Sequence, residues 1–247
     1  MAAVNDASNA TATLHYIFDP MCGWCYAVAP LVEAARAVPG LQVEIHGGGM
    51  MTGPNRRPIT AQWREYVKPH DLRIAELTGQ PFGERYLEGL LRDTGAVMDS
   101  EPPTTAILAA ESLRAGGGLD MAHRLQHAHY VEGRRIADAD VIAALAVELG
   151  FDAEAFVAAF KQLSGEATAR HIAESRQLLQ RVGGQGFPTF VLAQADGRAS
   201  RIDTGPWLGR AEDWKAHLAE FVGPSQAVAT ASAAATPAMC GPDGCAI

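Results

Sequence analysis

Four cysteines fall in two close pairs: Cys22-Gly23-Trp24-Cys25 near the start of the chain and Cys240-Gly241-Pro242-Asp243-Gly244-Cys245 near its end. Cysteines at i and i+3 share one face of a helix, and that separation suits a disulfide, whose Cα atoms stand about 5.5–6 Å apart. Three roles are open to such a pair: thiol–disulfide exchange, zinc ligation, and inert burial. Cys22 opens what reads as a helix, where free backbone N–H groups and the positive end of the peptide dipoles meet the sulfur. They stabilise a thiolate relative to its thiol. Cys22 is then the attacking sulfur, and Cys25, deeper and less exposed, resolves the mixed disulfide. Gly23-Trp24 supplies no cation, so the activation is moderate, and Trp24 offers an apolar contact to a substrate chain. Zinc sites use C-x-x-C too, but a pair placed directly after a strand and opening a helix favours redox chemistry.

In the second pair, the intervening Gly-Pro-Asp-Gly suits a type I turn, which folds the chain back and brings Cys240 near Cys245. The preceding stretch, "SQAVATASAAATPAM", reads as a linker or disordered tail. A flexible chain of that length spans roughly 20–25 Å root-mean-square, against a small domain about 30 Å across. Exchange between the tail pair and Cys22 is therefore geometrically allowed, with the tail as redox relay or guard. Four thiolates could alternatively assemble one zinc site, as in a redox sensor, although the linker would organise it loosely.

Other residues invite weaker readings. His123 and His127 share a helix face and His129 lies close by, but no H-E-x-x-H pattern is present, so packed or solvated histidines are expected. "GGGMMTG" lacks the lysine of a phosphate loop and reads as a loop near the active site. Arg56-Arg57 and Arg134-Arg135 read as surface charges.

These residues need elements to hold them. Residues 13–18 read as a strand, ended by Asp19-Pro20 because proline offers no N–H to a ladder. A helix follows from the cysteine pair, with Pro30 kinking it or starting a second segment, and residues 41–48 alternate as a second strand. From about residue 60 to 163 the pattern is helical with almost no strand signal. A further helix spans 165–182. Residues 190–193 and 200–203 read as strands joined by the Asp196-Gly197 turn, before a closing helix. The order β–α–β, helical insertion, α–β–β–α is that of an α/β, thioredoxin-like fold with an inserted all-helical subdomain. Its parts are residues 1–55 and 165–222 for the thioredoxin-like domain, 56–164 for the insertion, and 223–247 for a flexible tail. Pro188 stands just before the third strand, where thioredoxin folds carry a cis-proline beside the cysteine pair. A cis bond there exposes the backbone of Phe187 to an extended peptide.

With those residues in place, "DPMCGWCYAVAP", "HGGGMMTG", "LTGQPFGERYLEGLLRDTGAVMDSEPP" and "GGQGFPTF" resemble the DsbA-like thiol–disulfide oxidoreductases, in particular their cytoplasmic FrnE-type branch. The resemblance implies dithiol–disulfide exchange with protein substrates, with Cys22, Cys25 and Pro188 catalytic and Trp24 and Phe187 at the substrate. The C-x4-C tail also resembles a FrnE-type second redox motif. Gly-Trp stands where strongly oxidising members carry Pro-His, which argues against a strong oxidant, and Phe187 is bulky for its position. Kappa-class glutathione transferases and chromene-carboxylate isomerases share the architecture and give the rival reading of a glutathione-dependent transferase or isomerase. They usually carry one serine or cysteine where both Cys22 and Cys25 stand here.

The bulk numbers narrow the partners. The chain has 247 residues, 48% of them hydrophobic and 19% charged, as in an ordinary globular protein. A net charge of −8 argues against nucleic acid as a main partner. No apolar run suits a bilayer and the first residues lack a secretory pattern, so the expected compartment is the cytoplasm, where thiols are kept reduced. No organic cofactor or metal is expected, because the sulfurs carry the electrons. Glutathione or a thioredoxin system is expected to recycle them.

Overall fold

The computed structural model describes residues 11–222; the expected tail pair, Cys240 and Cys245, lies outside them. The chain opens with β1 (Ala12–Phe18), α1 (Gly23–Ala27), α2 (Ala29–Arg36) and β2 (Leu41–Gly47). Pro30 starts a second segment: it sits in the first turn of α2, where its missing N–H costs nothing. A two-residue antiparallel ladder, β3 (Arg57–Pro58) with β4 (Val97–Met98), brackets α3 (Ala61–Thr78). Four helices follow, α4 (Glu101–Leu113), α5 (Gly117–Tyr130), α6 (Ala139–Glu148) and α7 (Ala153–Leu163). The chain returns through α8 (Glu166–Arg181), β5 (Thr189–Gln194), β6 (Ala199–Ile202) and α9 (Ala211–Ala219).

The main sheet has the order β2-β1-β5-β6, with β1 parallel to β2 and the other neighbours antiparallel. Alternation on β1 buries Leu14, Tyr16 and Phe18. Tyr16 stacks on Phe18 and on Phe190 of β5, at centroid separations of 4.6 and 4.8 Å. Trp214 of α9 is fully buried and donates its indole N–H to the Leu31 carbonyl at 3.0 Å, which docks α9 on α2. This is the thioredoxin-like arrangement expected from the sequence, with α3 to α7 inserted between β2 and α8.

Two local expectations differ. Within the stretch read as helical, "PFGERYLEGLLRD" forms a π turn (Arg85–Gly89) followed by a 3-10 turn (Leu90–Arg92). Gly83 is packed so closely on the chain after α5 that a Cβ there would stand 2.0 Å from the Val131 carbonyl oxygen, and Gly89 takes a non-helical ψ of −86°. The β3–β4 ladder was missed because two residues are too few to show alternation.

Candidate active site

β1 delivers the chain to a tight turn in which the Cys22 N–H donates to the Asp19 carbonyl at 3.1 Å. Cys22 is the N-cap of α1, with extended backbone; its carbonyl accepts from the N–H groups of Cys25 and Tyr26 at 3.0 and 3.1 Å. Its side chain makes no cap bond. The thiol turns across to the Phe187 carbonyl oxygen, 3.6 Å away. Cys25 lies one turn deeper and is fully buried. Its sulfur accepts the Asp19 N–H at 3.5 Å, and its carbonyl accepts the Tyr16 hydroxyl at 3.1 Å. Burial first, and the neighbouring Cys22 sulfur second, push the Cys25 thiol well above the ordinary cysteine range. Both cysteines are free thiols.

The Phe187–Pro188 peptide bond is cis, as expected. The Phe187 ring lies on Gly48, so closely that a Cβ there would stand 2.1 Å from it. Gly48 belongs to a loop at the end of β2 that Arg176 of α8 grips by donating to the carbonyls of Gly48, at 2.8 Å, and Gly49. "GGGMMTG" therefore does form an active-site loop.

A cleft of about 630 Å³ is lined by Cys22, Trp24, Met50 and Met51 and by Trp63, Tyr66 and Asp71 of α3. Cys22 is only 6% exposed, and Cys25 less still, as expected. Residues of the insertion, among them Trp63, Tyr66 and Asp71, thus line the cleft together with Cys22. Arg57, read from sequence as a surface charge, also lines the cleft, its guanidinium 5.4 Å from the Trp63 ring centroid.

Two buried carboxyls escaped the sequence reading. Asp19, taken only as a strand terminator, accepts from the Met21 and Met50 N–H groups at 2.9 and 2.5 Å and from the Ser100 hydroxyl at 2.9 Å. It thus ties the cysteine turn, the glycine loop and the start of α4 together, and burial raises it to about 6 against those bonds. Asp71 accepts the Tyr86 hydroxyl at 2.8 Å, and its Oδ1 lies 3.1 Å from where a Gly23 Cβ would stand. Burial raises it from 3.8 to about 7, opposed by the Tyr86 bond. A polar residue in an amphipathic helix gives no sign of which carboxylate the fold will bury.

A raised carboxyl favours the folded state only while protonated. The Asp71 contribution is full below its unfolded pKa of 3.8 and is lost as the pH rises through about 7. Compared with an Asp71→Asn variant, the protein should lose about 3–4 kcal/mol of stability between pH 4 and pH 8. Denaturant unfolding of both proteins across that range measures it; parallel profiles would remove the assignment.

The remaining candidates do not converge. His123 pairs with Glu33 at 2.5 Å and His127 with Glu132 at 3.0 Å, while His129 is buried against Tyr86 and Tyr130. Arg134 and Arg135 form ion pairs with Glu148 and Asp93. Cys22 lies against the Phe187 carbonyl of the cis Phe187–Pro188 bond with Cys25 one turn behind, and of these site residues Cys22 and Trp24 line the cleft.

The sequence profile of the DSBA-like thioredoxin domain matches residues 13–206. The chain belongs to the DsbA-like thioredoxin family. It is a thiol–disulfide oxidoreductase of that family. The cytosolic disulfide reductase DsbM from Pseudomonas aeruginosa is 56% identical, with a TM-score of 0.78 over 83% of this chain and 96% of its own. The structure of that reductase with GSH matches at 54% identity and a TM-score of 0.77, over the same shares. A protein disulfide isomerase candidate from Nitrosomonas europaea is 26% identical, with a TM-score of 0.69 over 85% of this chain and 96% of its own. A comparison with curated proteins gives no match. Among the described residues of this DsbA-like protein, no helix is long and apolar enough to cross a membrane.

Proposed function

We propose that this DsbA-like protein is a cytoplasmic reductase of protein disulfides, working through the Cys22–Cys25 dithiol and recycled by glutathione. The observation that carries the reading is the Cys22 thiol at the helix start, held toward the Phe187 carbonyl beside an open cleft, with Cys25 buried one turn behind. The Cys22 thiolate attacks one sulfur of a substrate disulfide and displaces the other as a thiolate, which takes up a proton. Cys25 gives up its proton and attacks the Cys22 sulfur. The second substrate thiol leaves and an enzyme disulfide remains. Two electrons have passed to the substrate, and two glutathione molecules, oxidised to one glutathione disulfide, restore the dithiol.

Trp24 and Phe187 border the substrate path, and Pro188 aligns the substrate backbone. The direction is supported by the reductase relative at 56% identity, and the recycling thiol by that relative's structure with GSH. The test is equilibration of the full chain in glutathione buffers, acid trapping of free thiols and mapping of the paired sulfurs. A Cys22–Cys25 disulfide that forms and disappears reversibly, with glutathione-driven reduction of a protein disulfide, is the expected result. Glutathione turnover without that linkage would favour the transferase or isomerase reading instead.

The tail pair acts as a relay to Cys22. The double variant Cys240→Ser/Cys245→Ser should slow glutathione-driven recycling several-fold while the fold, followed by circular dichroism, stays unchanged. Identical recycling kinetics would remove the relay.

A further inference from the structure

Away from the cysteines, the parallel register of β1 and β2 sets His15 opposite Glu44 and Ile17 opposite His46. Side chains alternate faces along a strand, so His15, Glu44 and His46 emerge on the same side of the sheet. Their tips converge. His15 Nδ1 stands 3.1 Å from His46 Nε2 and 3.3 Å from Glu44 Oε2, and His46 Nε2 stands 4.0 Å from that same oxygen. Among the described residues this is the group of histidine, cysteine and carboxylate side chains whose ligand atoms approach closely enough to share an ion, and it contains neither cysteine.

We propose that His15, Glu44 and His46 bind a divalent transition-metal ion of the Zn²⁺ class. A triangle with those three sides has a point about 2 Å from every corner, the length of a Zn–N or Zn–O bond. Hydrogen bonding alone leaves the cluster short of donors. A neutral imidazole carries one N–H, so at most one proton can stand between the two facing ring nitrogens, and the His15 Nδ1 proton cannot serve both His46 and Glu44 well. Protonating both rings sets two N–H groups against each other. A cation takes both lone pairs and the carboxylate charge together.

Two imidazoles and one carboxylate suit Zn²⁺, Co²⁺ or Ni²⁺ better than Mg²⁺ or Ca²⁺, which favour oxygen ligands throughout. The ligands stand on paired strands, and their side chains are 22–43% exposed, so an ion can reach them from solvent. His171 is not a fourth ligand through Nε2, because that nitrogen accepts the Gly47 N–H at 3.0 Å. Three protein ligands leave at least one position for water or an exogenous group. The site would fasten the end of β2 just before the glycine loop on which Phe187 lies.

The cysteines compete for the same metals, so the full chain is first oxidised with glutathione disulfide until no free thiol remains. It is then dialysed to equilibrium against Zn²⁺ and the bound metal counted. One ion per chain is expected, with affinity lowered ~10-fold or more in Glu44→Gln and in His46→Gln. Glu44 is half-exposed, so its variant tests the site even if the histidine variant folds poorly. In the oxidised chain without substitutions, Co²⁺ should give ligand-field absorption without thiolate charge transfer and should broaden the His15 and His46 imidazole resonances. No retained ion, or equal retention by both variants with unbroadened His15 and His46 signals, would overturn the proposal.

Discussion

Cys22→Ser should lower kcat/KM for protein-disulfide reduction by ~10³-fold or more, because no other thiol among the described residues opens on the cleft. Cys25→Ser should behave differently. Its first step is intact, since the attacking sulfur and its Phe187 partner are untouched. The mixed disulfide on Cys22 then lacks its internal nucleophile and accumulates. Intact-mass spectrometry after brief exposure to a disulfide substrate should show the adduct on Cys25→Ser and none on Cys22→Ser. The buried position of Cys25 makes the second step demanding, because a thiol raised so far by burial must lose its proton before it can attack. A Cys25→Ser protein that turns over at the parental rate with glutathione would sink the dithiol mechanism and favour chemistry at one sulfur.

Gly48→Ala should cut the rate of mixed-disulfide formation by ~10–100-fold, consistent with overpacking that costs about 1–3 kcal/mol. The added methyl would stand 2.1 Å from the Phe187 ring, and the Gly48 backbone has little freedom to retreat. Its N–H donates to the Phe18 carbonyl at 2.7 Å and its own carbonyl is held by Arg176 at 2.8 Å. The ring must move, and the expected loss of rate follows if that displacement also shifts the Phe187 carbonyl that faces Cys22. Gly89→Ala is the control, because nothing lies within 4 Å of a Cβ there. Stopped-flow exchange with a peptide disulfide, paired with thermal unfolding, separates the effects: Gly48→Ala should lose exchange rate and Gly89→Ala should not. Equal rates for the two would show that the Phe187–Gly48 contact does not set the geometry of attack.

The parts of the fold that repeat were legible in the sequence. β-branched and aromatic residues before Asp19-Pro20 marked β1, alternation marked β2, the Asp196-Gly197 turn marked the β5–β6 hairpin, and helical spacing marked α3 to α8. The cysteine pair and Pro188 could be placed because each sits at a boundary between elements, where local chemistry leaves a signature. Asp19 and Asp71 were not legible as site residues. Their burial comes from Met50, Ser100 and Tyr86, which approach from distant parts of the chain. Arg57 is exposed, as read from the sequence, but its place at the cleft beside Trp63 of α3 is set by contacts between segments that no local pattern shows. The His15–Glu44–His46 cluster depends on the register of β1 against β2, which neither strand reveals alone.

The order of the strands has a consequence during synthesis. β1 is central, but only its β2 partner follows promptly; β5, which pairs its other edge, begins at Thr189, after the entire insertion. At about 5–20 residues per second, that edge of β1 leaves the ribosome on the order of ten seconds before its partner exists. A strand with an open edge is a template for wrong pairing. The nascent amino-terminal third therefore depends on late closure by residues 189–194, and the sheet completes only when nearly the whole chain has been translated.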